Sequence, residues 1–193
     1  MMRIRAAIPW TLVWSRALMA LVLVLVALSH WHGGTAFGVI LIAGVLSDIY
    51  DGILARRWNC VSPSLRVADS AVDTLFYVGV GAAVLIRFPN VIRANMILLL
   101  ALIGLELLRH CYDLVRFRKI ASYHSWFSKV WGLLLLAAST SLLCLGRFPT
   151  LVSVALAWGI VCDLEGLAIS MILPEWQPDI RTLARAWAVR RGR

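Results

Sequence analysis

The chain has 193 residues, of which 61% are hydrophobic and only 15% charged. With a mean hydropathy of +0.84, this composition excludes a soluble globular domain and leaves a polytopic membrane protein. The net charge of +9 fits basic loops on one face of a bilayer and attraction to anionic lipid; no nucleic-acid partner is expected, because no soluble domain exists to carry a basic patch.

Six apolar stretches follow one another, over roughly 9–30, 35–57, 66–87, 92–114, 125–146 and 149–174, each near the ~20 residues that a helix needs to cross a bilayer. Arg3 and Arg5 precede the first, as in a signal peptide, but Arg16 lies inside it and five further stretches follow, so it reads as a retained span. It ends at His32-Gly33-Gly34, where His30 and His32 beside Trp31 fit interfacial anchoring better than metal ligation. The second stretch carries Asp48, Asp51 and Arg56 at its end, and Ser62-Pro63 turns the chain into the third, which carries Asp69 and Asp73. Phe88-Pro89-Asn90 leads to the fourth, with Glu106, Arg109, His110 and Asp113; the third and fourth have the shortest uncharged cores. The fifth opens on Ser125-Trp126-Phe127-Ser128-Lys129, Phe148-Pro149 separates it from the sixth, and Asp163 and Glu165 stand toward the end of the sixth. The four cysteines (Cys60, Cys111, Cys144, Cys162) are scattered and suggest neither a disulfide framework nor a zinc site.

The expected fold is all-α, a single membrane domain over residues 1–193 with six transmembrane helices and a basic cytoplasmic tail from about 175 to 193. Placing both termini in the cytoplasm puts Arg3, Arg5, Arg56, Arg57, Arg66, Arg109, Arg116, Arg118, Lys119 and the tail arginines inside, and leaves Arg87, Arg93 and Arg147 outside. That asymmetry predicts an N-in, C-in topology. The acids agree, since all of them then fall toward the cytoplasmic side. The tail from Arg181 to Arg193, with Trp187 among its arginines, is expected to lie on the headgroups.

Four carboxylates within one short segment of so apolar a chain mark a functional site, because a charge beside the bilayer is costly. Asp48 and Asp51 are three residues apart, and Asp69 and Asp73 four apart. Each pair therefore shares one face of its helix. Two such faces turned together suit one or two hard divalent cations, which prefer oxygen ligands. Gly52 lies one turn after Asp48 and lets a ligand approach the helix backbone. Arg56, a turn further on, offers a planar fork for phosphate oxygens. Read singly, the acids also suit a solvated helix end, Gly52 a packing position, Arg56 a topology determinant and Ser62 a turn residue.

The spaced set resembles the signature of the CDP-alcohol phosphatidyltransferase family, D-x2-D-G-x2-A-R-x8-G-x3-D-x3-D. Asp48, Asp51, Gly52, Ala55, Arg56, Asp69 and Asp73 match with the spacing intact, and Leu65 stands where the family has its second glycine. Ile8-Pro9 and Arg16 are similar to the family's first-helix pattern. Ser125 to Lys129 is similar to a stretch of phosphatidylglycerophosphate-synthase-like members, with Ser128 in place of glycine.

The resemblance implies phospholipid biosynthesis, in which the phosphatidyl group of a CDP-linked lipid, usually CDP-diacylglycerol, passes to an alcohol and CMP leaves. It implies two Mg2+ or Mn2+ ions on Asp48, Asp51, Asp69 and Asp73, with Asp73 also taking the proton of the attacking hydroxyl. It implies contacts from Gly52, Arg56 and Ser62 to the CDP moiety, and a homodimer. The compact chain suits a bacterial plasma membrane with the site facing the cytoplasm. Leu65 puts bulk where family members keep open space, and is expected to reshape the approach to the metal site.

Acceptor choice rests on cations within the spans. Arg109 and Lys129 suit an anionic acceptor such as glycerol 3-phosphate, although positive-inside bias accounts for many basic residues. Two other classes fit the same residues: an inactive family member serving as a lipid-binding or scaffold subunit, and an ion-coupled transporter. The transporter suits the sequence least, because the acids cluster toward one leaflet and transporter sites lie near the midplane.

Overall fold

A computed structural model describes residues 2–29, 33–58, 60, 62–119, 125–177, 180 and 182–192. Of the residues read above, His30, Trp31, His32, Arg181 and Arg193 lie outside the described residues, as do the side chains of Arg3, Arg5 and Arg66. Among the described residues there is no strand, and the helices run α1 (Met2–Leu28), α2 (Gly34–Arg57), α3 (Pro63–Arg87), α4 (Pro89–Ala94), α5 (Met96–Phe117), α6 (Trp126–Leu145), α7 (Thr150–Ile172) and α8 (Leu183–Arg191).

Five helical segments are long and apolar enough to cross a membrane: Ala7–Leu28, Gly34–Arg57, Val67–Arg87, Trp126–Leu145 and Thr150–Ile172. The protein is therefore an integral membrane protein. The fourth apolar stretch is not one helix. It breaks at Asn95, which separates α4 from α5. At 22 residues α5 has the length of a span, but Glu106, Arg109, Asp113 and Arg116 fill its second half with charge.

The chain divides into two compact units, Met1–Pro89 with Ser139–Arg147, and Asn90–Ala138 with Phe148–Arg193. In the first, α1 packs on both α2 and α3. Its buried side chains, Val13, Arg16, Ala20, Leu23 and Ala27, recur at spacings of three and four, which draws one stripe along the helix. The apolar drive that folds soluble proteins is weak between helices in lipid, so close backbone approach at small residues has to supply the contact. A Cβ built on Gly79 of α3 would lie 3.0 Å from the Cβ of Ala20, and Gly44 of α2 receives the ring of Phe76. Gly34 starts α2 directly against the backbone of Cys144, near the end of α6.

In the second unit α5 packs on α7. Gly159 of α7 makes room for the Trp131 ring and Leu102, and Gly166 for the side chain of Arg109. Asn95 is satisfied at the α4–α5 break: its amide donates to the Val91 carbonyl at 2.9 Å and its oxygen accepts from Ser153 at 2.6 Å. Part of the tail packs into the second unit. Ala186 of α8 is buried with Ile169, Leu173 and Ile180, while Trp187 stays exposed with Arg190 and Arg191 against its ring.

Candidate metal centre

The helical period delivers the acids. On α2, Phe37, Leu41, Gly44, Ser47, Asp51 and Ala55 form the buried stripe, so Asp51 is the polar continuation of a core seam. Asp48 precedes it by almost a turn and is half exposed, at 51% against 5% for the Asp51 side chain. On α3 the start is fixed by sequence. Ser62 is the N-cap, its hydroxyl accepting the Leu65 N–H at 3.1 Å, and Pro63 occupies the first turn, where its missing N–H costs nothing. Asp69 and Asp73 follow on successive turns of one face.

The third contributor is α1. Arg16, 1% exposed, lies among all four carboxylates. One terminal nitrogen donates to Asp48 Oδ1 at 2.9 Å and to Asp73, and the other donates to Asp51 and Asp69. The neighbouring turn is tied by hydroxyls. Ser15 and Ser47 both donate to the Leu12 carbonyl, at 2.7 and 2.8 Å, which fastens α1 to α2 beside the acids.

Ligand oxygens of Asp48, Asp51 and Asp69 lie within 4.8 Å of one another. An all-carboxylate donor set with no histidine or cysteine among it suits a hard cation such as Mg2+ or Mn2+ and disfavours zinc or copper. The residues present therefore fit the divalent ions that the signature implies, with Asp73 joined to the group through Arg16.

Gly52 and Arg56 stand together on the same helix. A Cβ built on Gly52 would find only the Arg56 guanidinium, at 3.5 Å, an ordinary contact. Packing among the described residues therefore does not require glycine there. Gly52→Ala is expected to leave the fold intact, or to stabilise it by about 0.5–1 kcal/mol through helix propensity, while raising the KM for the CDP-linked donor roughly tenfold. Melting curves and donor saturation curves, measured together, check both halves.

Leu65 stands in the first turn of α3, four residues before Asp69. It is buried with Val13, Ala55 and Val72, and packs against Trp10, Ala17 and Ala68. Its bulk fills the contact between α1, α2 and α3. Leu65→Ala should therefore cost about 2–3 kcal/mol of stability, seen as a lower melting temperature in detergent, and a glycine there should cost more.

The residues considered for the acceptor lie in the second unit. Arg109 donates to Glu106 at 2.8 Å and pairs with Asp163 at 3.4 Å. Lys129 lies 4.5 Å from the centre of the Trp126 ring. Asp163 is not at a helix terminus, since α7 continues to Ile172, and its side chain is buried. His110 Nδ1 donates to the Glu106 carbonyl at 2.8 Å. Sequence reasoning noted Arg16 inside the first apolar stretch and as part of a first-helix pattern, gave it no carboxylate partners, and passed over Ser15 and Ser47. The available signal was an arginine within an apolar stretch, which must find carboxylates on other helices.

Carboxylates from two helices, gathered around an arginine of a third, form an all-oxygen donor cluster of a kind that could hold a divalent cation. The family profile described as CDP-alcohol phosphatidyltransferase matches residues 6–164, and the chain belongs to that family. No curated protein and no solved structure matched the chain. Membership makes the protein a phosphotransferase for CDP-alcohol substrates, in a family that is divalent-metal dependent and makes phospholipids by phosphatidyl transfer in membranes.

Proposed function

We propose that this enzyme transfers the phosphatidyl group of CDP-diacylglycerol to glycerol 3-phosphate and releases CMP, at the cytoplasmic face of a bacterial plasma membrane. In this reading residues 1–193 form one catalytic domain, α5 is the sixth span, both termini are cytoplasmic, and the enzyme is a homodimer. The observation that carries the reaction is the convergence of Asp48, Asp51 and Asp69 within 4.8 Å beside Gly52 and Arg56.

Asp48, Asp51, Asp69 and Asp73 would hold two Mg2+ or Mn2+ ions, which when bound neutralise the pyrophosphate and the charge that grows on departing CMP. Gly52 admits the nucleotide to the helix backbone, and the Arg56 fork takes phosphate oxygens. Ser62 adds a hydroxyl contact from the start of α3 without giving up its capping bond. Asp73 accepts the proton of the acceptor hydroxyl as that oxygen bonds to the phosphatidyl phosphorus. The bond from that phosphorus to the CMP oxygen breaks, and CMP leaves with the electron pair.

A phosphorylated acceptor is supported by the cations within the spans, Arg109 and Lys129. One observation favours a second reading. Arg109 already faces Glu106 and Asp163, so its charge is offset twice over. A neutral or zwitterionic alcohol needs no free cation. CMP release by purified protein, given CDP-diacylglycerol, Mg2+ or Mn2+ and a panel of glycerol 3-phosphate, inositol phosphate, serine and phosphatidylglycerol, decides between them. Release with glycerol 3-phosphate alone supports the first reading, and release with serine alone the second. Release with no acceptor in the panel removes the transferase assignment for this donor.

A further inference from the structure

The reaction above gives Arg16 no task, although its surroundings are the most heavily charged in the described chain. Four carboxylates in a region of low dielectric repel one another strongly. The guanidinium divides itself between them, two to each terminal nitrogen. It therefore holds the acids together at the point where they would meet metal ions. The carboxylates it takes include Asp48, Asp51 and Asp69, the same three residues whose ligand oxygens lie within 4.8 Å of one another. A Mg2+ ion needs its oxygens at about 2.0–2.1 Å, closer than the roughly 2.7–2.9 Å of a charged N–H···O bond. Ion and guanidinium compete for the same space between the carboxylates.

We propose that Arg16 is a built-in competitor of the divalent ions. It keeps the four aspartates converged, yields its place as ions bind, and so sets the ion concentration at which the centre fills. The inference rests on the metal-dependent reading of this site and assigns within it a positioning residue that contributes no metal ligand. The long, unbranched arginine side chain can rotate away while the helices stay packed. Ser15 and Ser47, bonded to the Leu12 carbonyl, hold α1 in register one turn away.

The test is Mn2+ binding, followed by the paramagnetic signal of free Mn2+, to full-length wild type, Arg16→Gln and Arg16→Lys in detergent without substrate. Arg16→Gln should bind Mn2+ about tenfold more tightly, within the range of ordinary coupling between sites. Arg16→Lys, with one nitrogen on a single stem, should fall between it and wild type. In chelator, Arg16→Gln should also melt below wild type, because nothing then offsets the four acids. If Arg16→Gln is not recovered folded, Arg16→Lys carries the same comparison. Equal or weaker Mn2+ binding in a folded variant overturns the proposal while leaving the metal reading intact. Absence of Mn2+ binding by wild type overturns both.

Discussion

Asp73→Asn is expected to lower acceptor-dependent CMP release by roughly a hundredfold to ten-thousandfold, the usual contribution of a positioned proton acceptor. The substitution keeps the shape of the side chain, and its amide oxygen can still accept an N–H from Arg16, with which Asp73 is paired. In the proposed reaction, what it removes is the capacity to take a proton at the moment the acceptor oxygen attacks. The fold should survive, because three other carboxylates still face Arg16. The melting temperature of the variant, measured beside its rate, separates lost chemistry from lost structure. A rate within tenfold of wild type would show that the proton goes elsewhere.

The second large effect is expected at Asp51. Of the four acids it is the most enclosed, with a side chain 5% exposed where Asp48 is 51% and Asp69 and Asp73 are each 37% exposed. Water can replace a lost ligand at an open position far more readily than at a closed one. Loss of a partner that merely orients a ligand typically costs about 10–100-fold in metal affinity, so Asp51→Asn, which in the proposed reading removes a ligand, should cost on the order of a hundredfold or more. The Mn2+ concentration that gives half-maximal CMP release should rise accordingly, and Asp48→Asn should raise it less. Equal effects at the two positions would mean that burial does not rank these ligands.

Much of this architecture was legible in the residues. Apolar runs bounded by Gly33-Gly34, Ser62-Pro63 and Phe148-Pro149 gave the spans to within a few residues, because Gly and Pro interrupt helices for reasons local to themselves. The acids were legible because i, i+3 and i, i+4 spacings state which side chains share a face. The break at Asn95 was not, since one asparagine inside an apolar run carries no turn signal, and its partner Ser153 is distant in sequence. Arg16 was visible as a cost without a visible remedy. Its partners lie 32 to 57 residues away, and no periodicity within α1 tells which neighbouring helix its stripe will meet. The packing of Leu65 against α1 and α2 was not legible either, because position within a motif says nothing of which way a side chain points. Asp163 looked terminal because charge was taken to end a span, whereas α7 keeps it inside by pairing it with Arg109.

The contact of Ala20 with Gly79 has a reach beyond its own few atoms. Ala20 lies one turn from Arg16, and Gly79 lies six residues after Asp73. Helices are stiff rods, so the gap between two of them at one level constrains the gap at the next. The pair of small residues acts as a fulcrum for the charged end of α1 and α3. A methyl group added at this pivot would change the aperture between the charged side chains while leaving those side chains the same. Ion requirement and substrate access are then open to tuning by residues that carry no charge and meet no ligand.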